Sequence, residues 1–378
     1  MILTRDIEHL ITKYLQPNKV VILLGPRRVG KTVLINRIVE NLNEPTLKLN
    51  GEDHSVQELL ARRTVQNYKA LLGDHKVLVI DEAQKIPEIG NILKLMVDEI
   101  PGIKILVTGS SAFDLIQNTG EPLTGRKKTL HLHPLSEKEL NQVENPIQKK
   151  DNLRQRLVYG NYPELLHITD KVDQADYLNE LVSSYLLKDI LSLDNIRNSD
   201  KILALLRLIA FQVGSSVSNT ELGRQLGMSK NTVDRYLDLL TKVFVLHEVS
   251  GFSRNLRKEI SKSSKWYFYD NGLRNIFIAN LNPIELRDDV GKLWENYSIS
   301  ERLKHQSYSR MVTNNYYWRT YDKQEIDWVE DRGGTLYSYE MKWNPRKQPK
   351  APKAWSTNYP DSEYQVITPD NYLEWMTE

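Results

Sequence analysis

The chain has 378 residues, 40% of them hydrophobic and 26% charged, with a formal net charge of +2. This length predicts two to four domains, and a charge so near balance gives no case for nucleic-acid binding through bulk field, so any basic surface has to be local. The lack of cysteine excludes disulfides, thiolate zinc sites, iron–sulfur clusters and cysteine nucleophiles, and fits a cytoplasmic protein; no apolar run approaches the roughly 18 residues that span a bilayer, so no membrane partner is expected.

Residues 1–15, MILTRDIEHLITKYL, mix acids with Ile2, Ile7, Leu10, Ile11 and Leu15 and read as an amphipathic helix, not a signal peptide. KVVILL at 19–24 is a short apolar run ending in glycine, the pattern of a buried parallel strand, and a helical pattern follows from Lys31 to about Leu42. KVLVIDE at 76–82 and IKILVTGSS at 103–111 predict two more buried strands, and alternation with helices predicts a parallel α/β sheet. From about Pro134 to Asp200 the apolar residues recur at helical spacing, which suggests a helical lid on the first domain. Residues 201–278 read helix, helix, turn, helix, then strands. The last hundred residues turn to aromatic-rich alternation (YYWRTY, EIDWVE, LYSYEMKW), which is strand grammar.

Between the first strand and its helix, Gly25-Pro26-Arg27-Arg28-Val29-Gly30-Lys31-Thr32 fits G-x-x-x-x-G-K-[ST] completely. The glycines let backbone N–H groups close around phosphate oxygens, and the helix N-terminus favours their charge. Lys31 is expected to reach the β- and γ-phosphates of ATP, and Thr32 to ligate Mg²⁺. Asp81 ends a hydrophobic strand, where it can hold the Mg²⁺ shell, and Glu82 beside it can orient or deprotonate the attacking water. Ser110 and Ser111 close the third strand at its C-terminal end, where such sheets place ligands, and can sense the γ-phosphate. Hydrolysis of this kind needs a cation near the γ-phosphate. Arg126, in LTGRKK, is the candidate arginine finger, with Arg27 and Arg28 as alternatives. His131 and His133 alternate on one strand face with no third ligand beside them and read as surface residues.

VILLGPRRVGKT, VLVIDEAQKIP, LVTGSS, LTGR and HLHPLSEKE, in this order, resemble the bacterial and archaeal AAA+ ATPases that carry a C-terminal domain of unassigned function; GNYPELL, YLLKDI and YFYDNGLRN extend the likeness over nearly the whole chain. The resemblance implies the usual roles for Lys31, Thr32, Asp81 and Glu82, and Arg126 as finger. It also implies a homo-oligomer, a hexameric ring among the forms, in which the finger reaches a neighbour's site.

Residues 216–252 carry helix-turn-helix grammar. Asn219 or Thr220 can cap a first helix, Gly227, Met228 and Ser229 form the turn, and Ser229 caps the second helix. Val233, Tyr236, Leu237 and Leu240 mark its buried face, leaving Lys230, Asn231, Thr232 and Arg235 outward for phosphate and base contacts with DNA. Residues 221–265 hold nine Lys/Arg against five Asp/Glu, a modestly basic stretch.

In LYSYEMKW, alternation puts Glu340 and Lys342 on one strand face; Asp327, in EIDWV, can meet them across a hairpin, and Glu295 sits on an upstream helix. Together they resemble the PD-(D/E)XK nuclease core, in which Asp327, Glu340 and Glu295 would bind Mg²⁺ and Lys342 would steer or activate water. The basic tail Arg346, Lys347, Lys350 and Lys353 can touch a phosphate backbone or simply be solvated.

The expected fold class is therefore α/β: a P-loop AAA+ core at 1–135, a helical lid at 136–200, a winged helix-turn-helix at 201–278 and a restriction-endonuclease-like domain at 279–378. The expected function is ATP hydrolysis coupled to DNA binding, translocation or remodelling, branched DNA included, with Mg²⁺-dependent cleavage as an added activity. The alternatives are an ATP-dependent switch that uses its later domains for protein contacts, and a nuclease gated by ATP.

Overall fold

The computed structural model describes residues 3–110, 123–186, 199–254 and 263–377; Ser111 and the end of the segment read as a lid, 187–198, lie outside them. The chain divides into two compact units, Met1–Pro134 and Leu135–Glu378.

In the first unit, β1 (Lys19–Leu24), β2 (Thr46–Asn50), β3 (Val77–Asp81), β4 (Lys104–Gly109) and β5 (Lys127–His131) form a parallel sheet in the order β2-β3-β4-β1-β5. The central strands β1, β3 and β4 are near-continuous apolar runs because they are buried on both faces. The edge strands β2, TLKLN, and β5, KKTLH, are interrupted by lysines, Lys48 exposed and Lys127 and Lys128 half-buried, and give no such run, so the sequence pattern hides them. Leu24 pairs with Gly109 and Ile80 with Val107, so the ends of β1, β3 and β4 share one edge of the sheet. The helix Lys31–Asn41 follows β1, and Glu8–Tyr14 forms the expected amphipathic helix, burying Leu10 and Ile11.

The second unit holds β6 (Ser216–Val217), β7 (Leu246–Gly251), β8 (Ser264–Phe268), β9 (Asn314–Arg319), β10 (Glu325–Arg332), β11 (Thr335–Met341) and β12 (Glu363–Ile367), in the order β12-β11-β10-β9-β7-β8-β6. β7 pairs parallel with β9, so one sheet runs across residue 278, where the sequence suggested a domain boundary. The helix Val290–Ser309 packs on this sheet and buries Leu293, Trp294 and Ile299.

Residues 135–186 also build into this unit. Their helices are locally specified: capping boxes start Glu137–Leu140 and Pro146–Tyr159, and Asp170 caps Lys171–Glu180. Buried Arg156 pairs with Glu137 at 2.8 Å and Glu144 at 2.7 Å; Glu137 accepts from the Tyr297 hydroxyl, and its N–H donates to Glu301 at 2.7 Å. Lys304 closes the network with Glu301 at 2.5 Å and the Leu135 carbonyl at 2.9 Å. The expectation of a lid belonging to the first domain is thus corrected to a helical layer integral to the second unit. Glu137 carries no signal in the sequence because Tyr297 and Glu301, which it meets, lie on the distant helix Val290–Ser309.

Removing Arg156 leaves two carboxylates buried without their counter-ion, a loss of about 3–5 kcal/mol. Arg156→Ala should therefore lower the urea midpoint of the second unit markedly, while Arg154→Ala, which removes an exposed pair with Glu285, should leave it almost unmoved. Equal midpoints for the two variants would show that the buried network does not hold the helical layer.

Candidate functional site

β1 leads directly into the glycine-rich loop. A Cβ on Gly25 would lie 2.2 Å from the Leu132 carbonyl oxygen, so only glycine lets the loop pass β5, and Gly30 turns into the helix at φ +91°. Lys31 is buried, its ammonium donating to the Gly25 and Pro26 carbonyls at 2.9 and 3.0 Å. Thr32 Oγ1 donates to Asp81 Oδ2 at 2.7 Å, so the two expected Mg²⁺ ligands meet across 49 residues of sequence. Their oxygen chemistry and adjacency to the loop suit that ion.

The structure adds groups that the sequence reading missed. Thr108, wholly buried on β4, donates its hydroxyl to Asp81 Oδ1 and accepts the Glu82 N–H at 2.9 Å, fixing both acids. Gln84 Nε2 donates to Glu82 at 2.6 Å and to Ser110 Oγ at 3.1 Å, joining the two residues singled out from sequence. Its Oε1 is buried with no hydrogen-bond partner among the described residues. The visible signal for Gln84 was its place in DEAQ, three residues after the strand-ending acid. Buried Arg5 had none: its guanidinium donates to the Val29 carbonyl at 2.7 Å and the His133 carbonyl at 2.6 Å, tying loop to β5. His133, expected at the surface, is buried at this junction.

In the second unit, Ser229 caps Lys230–Lys242 by accepting from the Thr232 N–H. Val233, Tyr236, Leu237 and Leu240 are buried, Lys230, Asn231 and Arg235 exposed, and Thr232 half-buried. The two acids of this helix are engaged, Asp234 by Asn219 at 2.6 Å and Asp238 by Lys242 at 2.6 Å, which mutes their charge on the outer face.

The four residues proposed as a nuclease core do converge. Glu295 lies on the helix Val290–Ser309, Asp327 on β10 and Glu340 at the end of β11; Lys342 Nζ meets Glu340 at 2.5 Å, and Asp327 Oδ2 accepts the Met341 N–H at 2.9 Å. Among them sits a residue missed in sequence, Lys265 of β8, whose ammonium is 2.6 Å from Glu325, 3.3 Å from Glu295 and 3.7 Å from Asp327. Burial works against its charge, yet Glu295 and the other acids hold it protonated well above the ordinary lysine range. Burial raises the Glu295 carboxyl to about 7 against the pull of Lys265, and burial with the Asp327 charge raises Glu340 to about 7. Among the described residues no group of three or more His, Asp or Glu side chains is placed to hold a metal ion, so the geometry does not fit the metal that the nuclease pattern implies.

Residues 17–141 match the family described as an AAA domain, and 150–284 and 290–375 each match a domain of unknown function. Residues 17–141 have the fold of a P-loop ATPase domain. The chain is 27% identical to an uncharacterized protein of Mycobacterium tuberculosis over 343 residues, covering 89% of this chain and 73% of that one. It is 25% identical to an uncharacterized protein of Haemophilus influenzae over 336 residues, 82% and 78% of the two. Among solved structures, the Walker-type ATPase of Pyrococcus abyssi covers 72% of this chain and 93% of its own, at 16% identity and a TM-score of 0.48.

Within the ATPase domain, Arg126 is not at the phosphate site of its own chain. Its carbonyl accepts from Val20 N–H at the start of β1, and its side chain pairs with Asp98 at 2.5 Å; the loop leaves the other end of β1, about 17 Å away at the rise of a parallel strand. Arg27, half-buried, and Arg28, exposed at φ +65°, remain in the loop itself.

Arg5 spans two carbonyls that a shorter or singly pointed group cannot hold together. Arg5→Ala should weaken binding of a fluorescent ADP analogue to the ATPase domain about tenfold, the worth of a lost charged hydrogen bond, and Arg5→Lys should recover part of it. Affinity unchanged in Arg5→Ala would separate this residue from nucleotide binding.

Proposed function

We propose that this chain hydrolyses ATP and couples the cycle to DNA, as an AAA+ machine. The carrying observation is the Thr32–Asp81 contact beside the loop lysine. Incoming phosphates offer Lys31 a stronger acceptor than the two loop carbonyls it now holds. Thr32 and Asp81 would hold Mg²⁺, which when bound neutralises charge between the β- and γ-phosphates. Glu82, kept in place by Thr108 and Gln84, orients or deprotonates the attacking water, and the unpartnered Gln84 Oε1 accepts a hydrogen bond from it. Ser110, on the same amide, reads the state of the γ-phosphate. With Arg126 remote from its own loop, an arginine-finger role for it requires a neighbouring copy, which favours a homo-oligomer, a hexameric ring being one form.

The second unit supplies the DNA reading. Residues 201–278 form a winged helix whose second helix, capped by Ser229, presents Lys230, Asn231, Thr232 and Arg235 to a groove or backbone. Residues 279–378 form a nuclease-like α/β domain on the same sheet. Translocation on, or remodelling of, duplex or branched DNA is the work the arrangement suits. The competing reading is an ATP-dependent switch in which the second unit binds protein; the near-balanced charge of the whole chain, +2, is the observation on its side.

Two measurements separate these claims. Lys31→Ala should abolish phosphate release from ATP, and Gln84→Ala should lower kcat by about a hundredfold with nucleotide affinity kept, since it misplaces water without touching phosphate. A Lys31→Ala protein that turns over ATP at the wild-type rate rejects the site. Linear, single-stranded or four-way DNA should stimulate turnover, and the Lys230→Ala/Arg235→Ala pair should lose that stimulation and show a shallower salt dependence. Stimulation by a protein partner with none by DNA would favour the switch.

A further inference from the structure

We infer that Lys265 is the resident cation of the carboxylate site in the second unit, neutralising Glu295, Glu325 and Asp327 in place of a divalent ion, so that the site takes no metal. The geometry leaves little room for the alternative. The Lys265 side chain is 1% exposed, and its ammonium lies within 4 Å of all three carboxylates. Mg²⁺ demands near-octahedral oxygen ligands at about 2.0–2.1 Å. An ion bound by these acids would therefore sit a few ångströms from a buried ammonium, two positive charges in a weakly screened setting.

Lys265 is also held from the opposite side. Its ammonium lies 5.4 Å from the centroid of the buried Tyr317 ring, a cation–π contact that favours the charge where it is. Tyr317 is fixed in turn, its hydroxyl donating to the Ser263 carbonyl at 3.0 Å. Each of three carboxylates also accepts a protein donor on one oxygen. Glu295 Oε1 accepts from the Tyr267 hydroxyl at 2.6 Å, Asp327 Oδ2 from the Met341 N–H, and Glu340 Oε1 from Lys342. Arg319 stands 3.5 Å from Glu325 on the outer side. A metal entering among these acids would have to displace the buried Lys265 ammonium from between them.

The site is then a self-neutralised joint. Lys265 belongs to β8, within the segment read as the winged helix, and the acids belong to the following segment, so the ammonium ties one to the other.

The test is a Mn²⁺ titration of the nucleotide-free full chain, with free ion followed by electron paramagnetic resonance. Wild type and Asp327→Asn should bind Mn²⁺ identically, because no site depends on Asp327. Lys265→Met keeps length and apolar stem but removes the charge; it should gain a Mn²⁺ site that the Lys265→Met/Asp327→Asn double variant lacks. A wild-type Mn²⁺ site lost in Asp327→Asn overturns the inference, and so does a folded Lys265→Met protein that gains none. Should Lys265→Met fail to fold, the wild-type and Asp327→Asn pair still decides. Plasmid nicking in Mg²⁺ or Mn²⁺ by wild type, abolished in Asp327→Asn, would count against it equally.

Discussion

A charge taken out of water costs several kcal/mol unless another charge or a set of donors meets it, and this cost organises both units. In the second unit Arg302 is buried against wholly buried Glu330 at 2.7 Å, Arg156 against Glu137, and Lys265 against its acids. Arg302 and Lys265 reach acids on other elements of the unit, whereas Arg156 and Glu137 join two helices of one layer. Such pairs add little net stability over an apolar core, but each is destructive when half removed, so they specify which segments pack together. The helical layer at 135–186 is placed by this rule: its Glu137, paired with Arg156, meets Tyr297 and Glu301 of the helix Val290–Ser309.

The ATPase domain applies the same constraint with one difference. Its polar groups are met, but by partners of a kind that a nucleotide can replace. The Lys31 ammonium rests on two neutral carbonyls, weaker acceptors than phosphate oxygens, and the Thr32 hydroxyl rests on the carboxylate that would share an ion with it. Gln84 keeps an unpartnered oxygen beside Glu82. A buried acceptor left unmet is costly in a folded protein, and a water molecule in that position would relieve the cost. The second unit's carboxylate site shows the opposite condition, with every acid already answered by the protein itself.

What the sequence disclosed follows from this. The loop from Gly25 to Thr32 and the acids Asp81 and Glu82 were legible because their chemistry is local: a strand, a turn and a helix written in consecutive residues. The buried strands β1, β3 and β4 were legible as apolar runs, whereas β2 and β5, at the edges, are interrupted by lysines and were not. Convergence of Glu295, Asp327, Glu340 and Lys342 was legible from strand alternation and a helix. Lys265 and Arg5 were not, since a lone basic residue in a sequence looks solvated until its partners are known. Arg126 shows the converse failure. Its glycine turn was seen, but only the pairing of β5 with β1 shows that it starts at the far end of the sheet.

The continuous sheet of the second unit raises a mechanical point. β7 and β9 are joined through two residue pairs, Ser250 with Tyr316 and Gly251 with Tyr317, a backbone link between the helix-turn-helix segment and the carboxylate segment. So brief a ladder contributes little by itself. It is reinforced where Tyr317 bonds to Ser263 and stacks under Lys265, and where Lys265 reaches Glu295, Glu325 and Asp327. The same two segments also meet away from this ladder: Asn296 accepts the Phe268 N–H at 2.7 Å and donates to the Phe268 carbonyl at 3.1 Å, and Arg274 pairs with Asp289 at 2.5 Å. Side chains on strands and helices thus join the two segments where the backbone ladder is brief, and buried polar pairs of this kind specify the packing because each is costly when half removed.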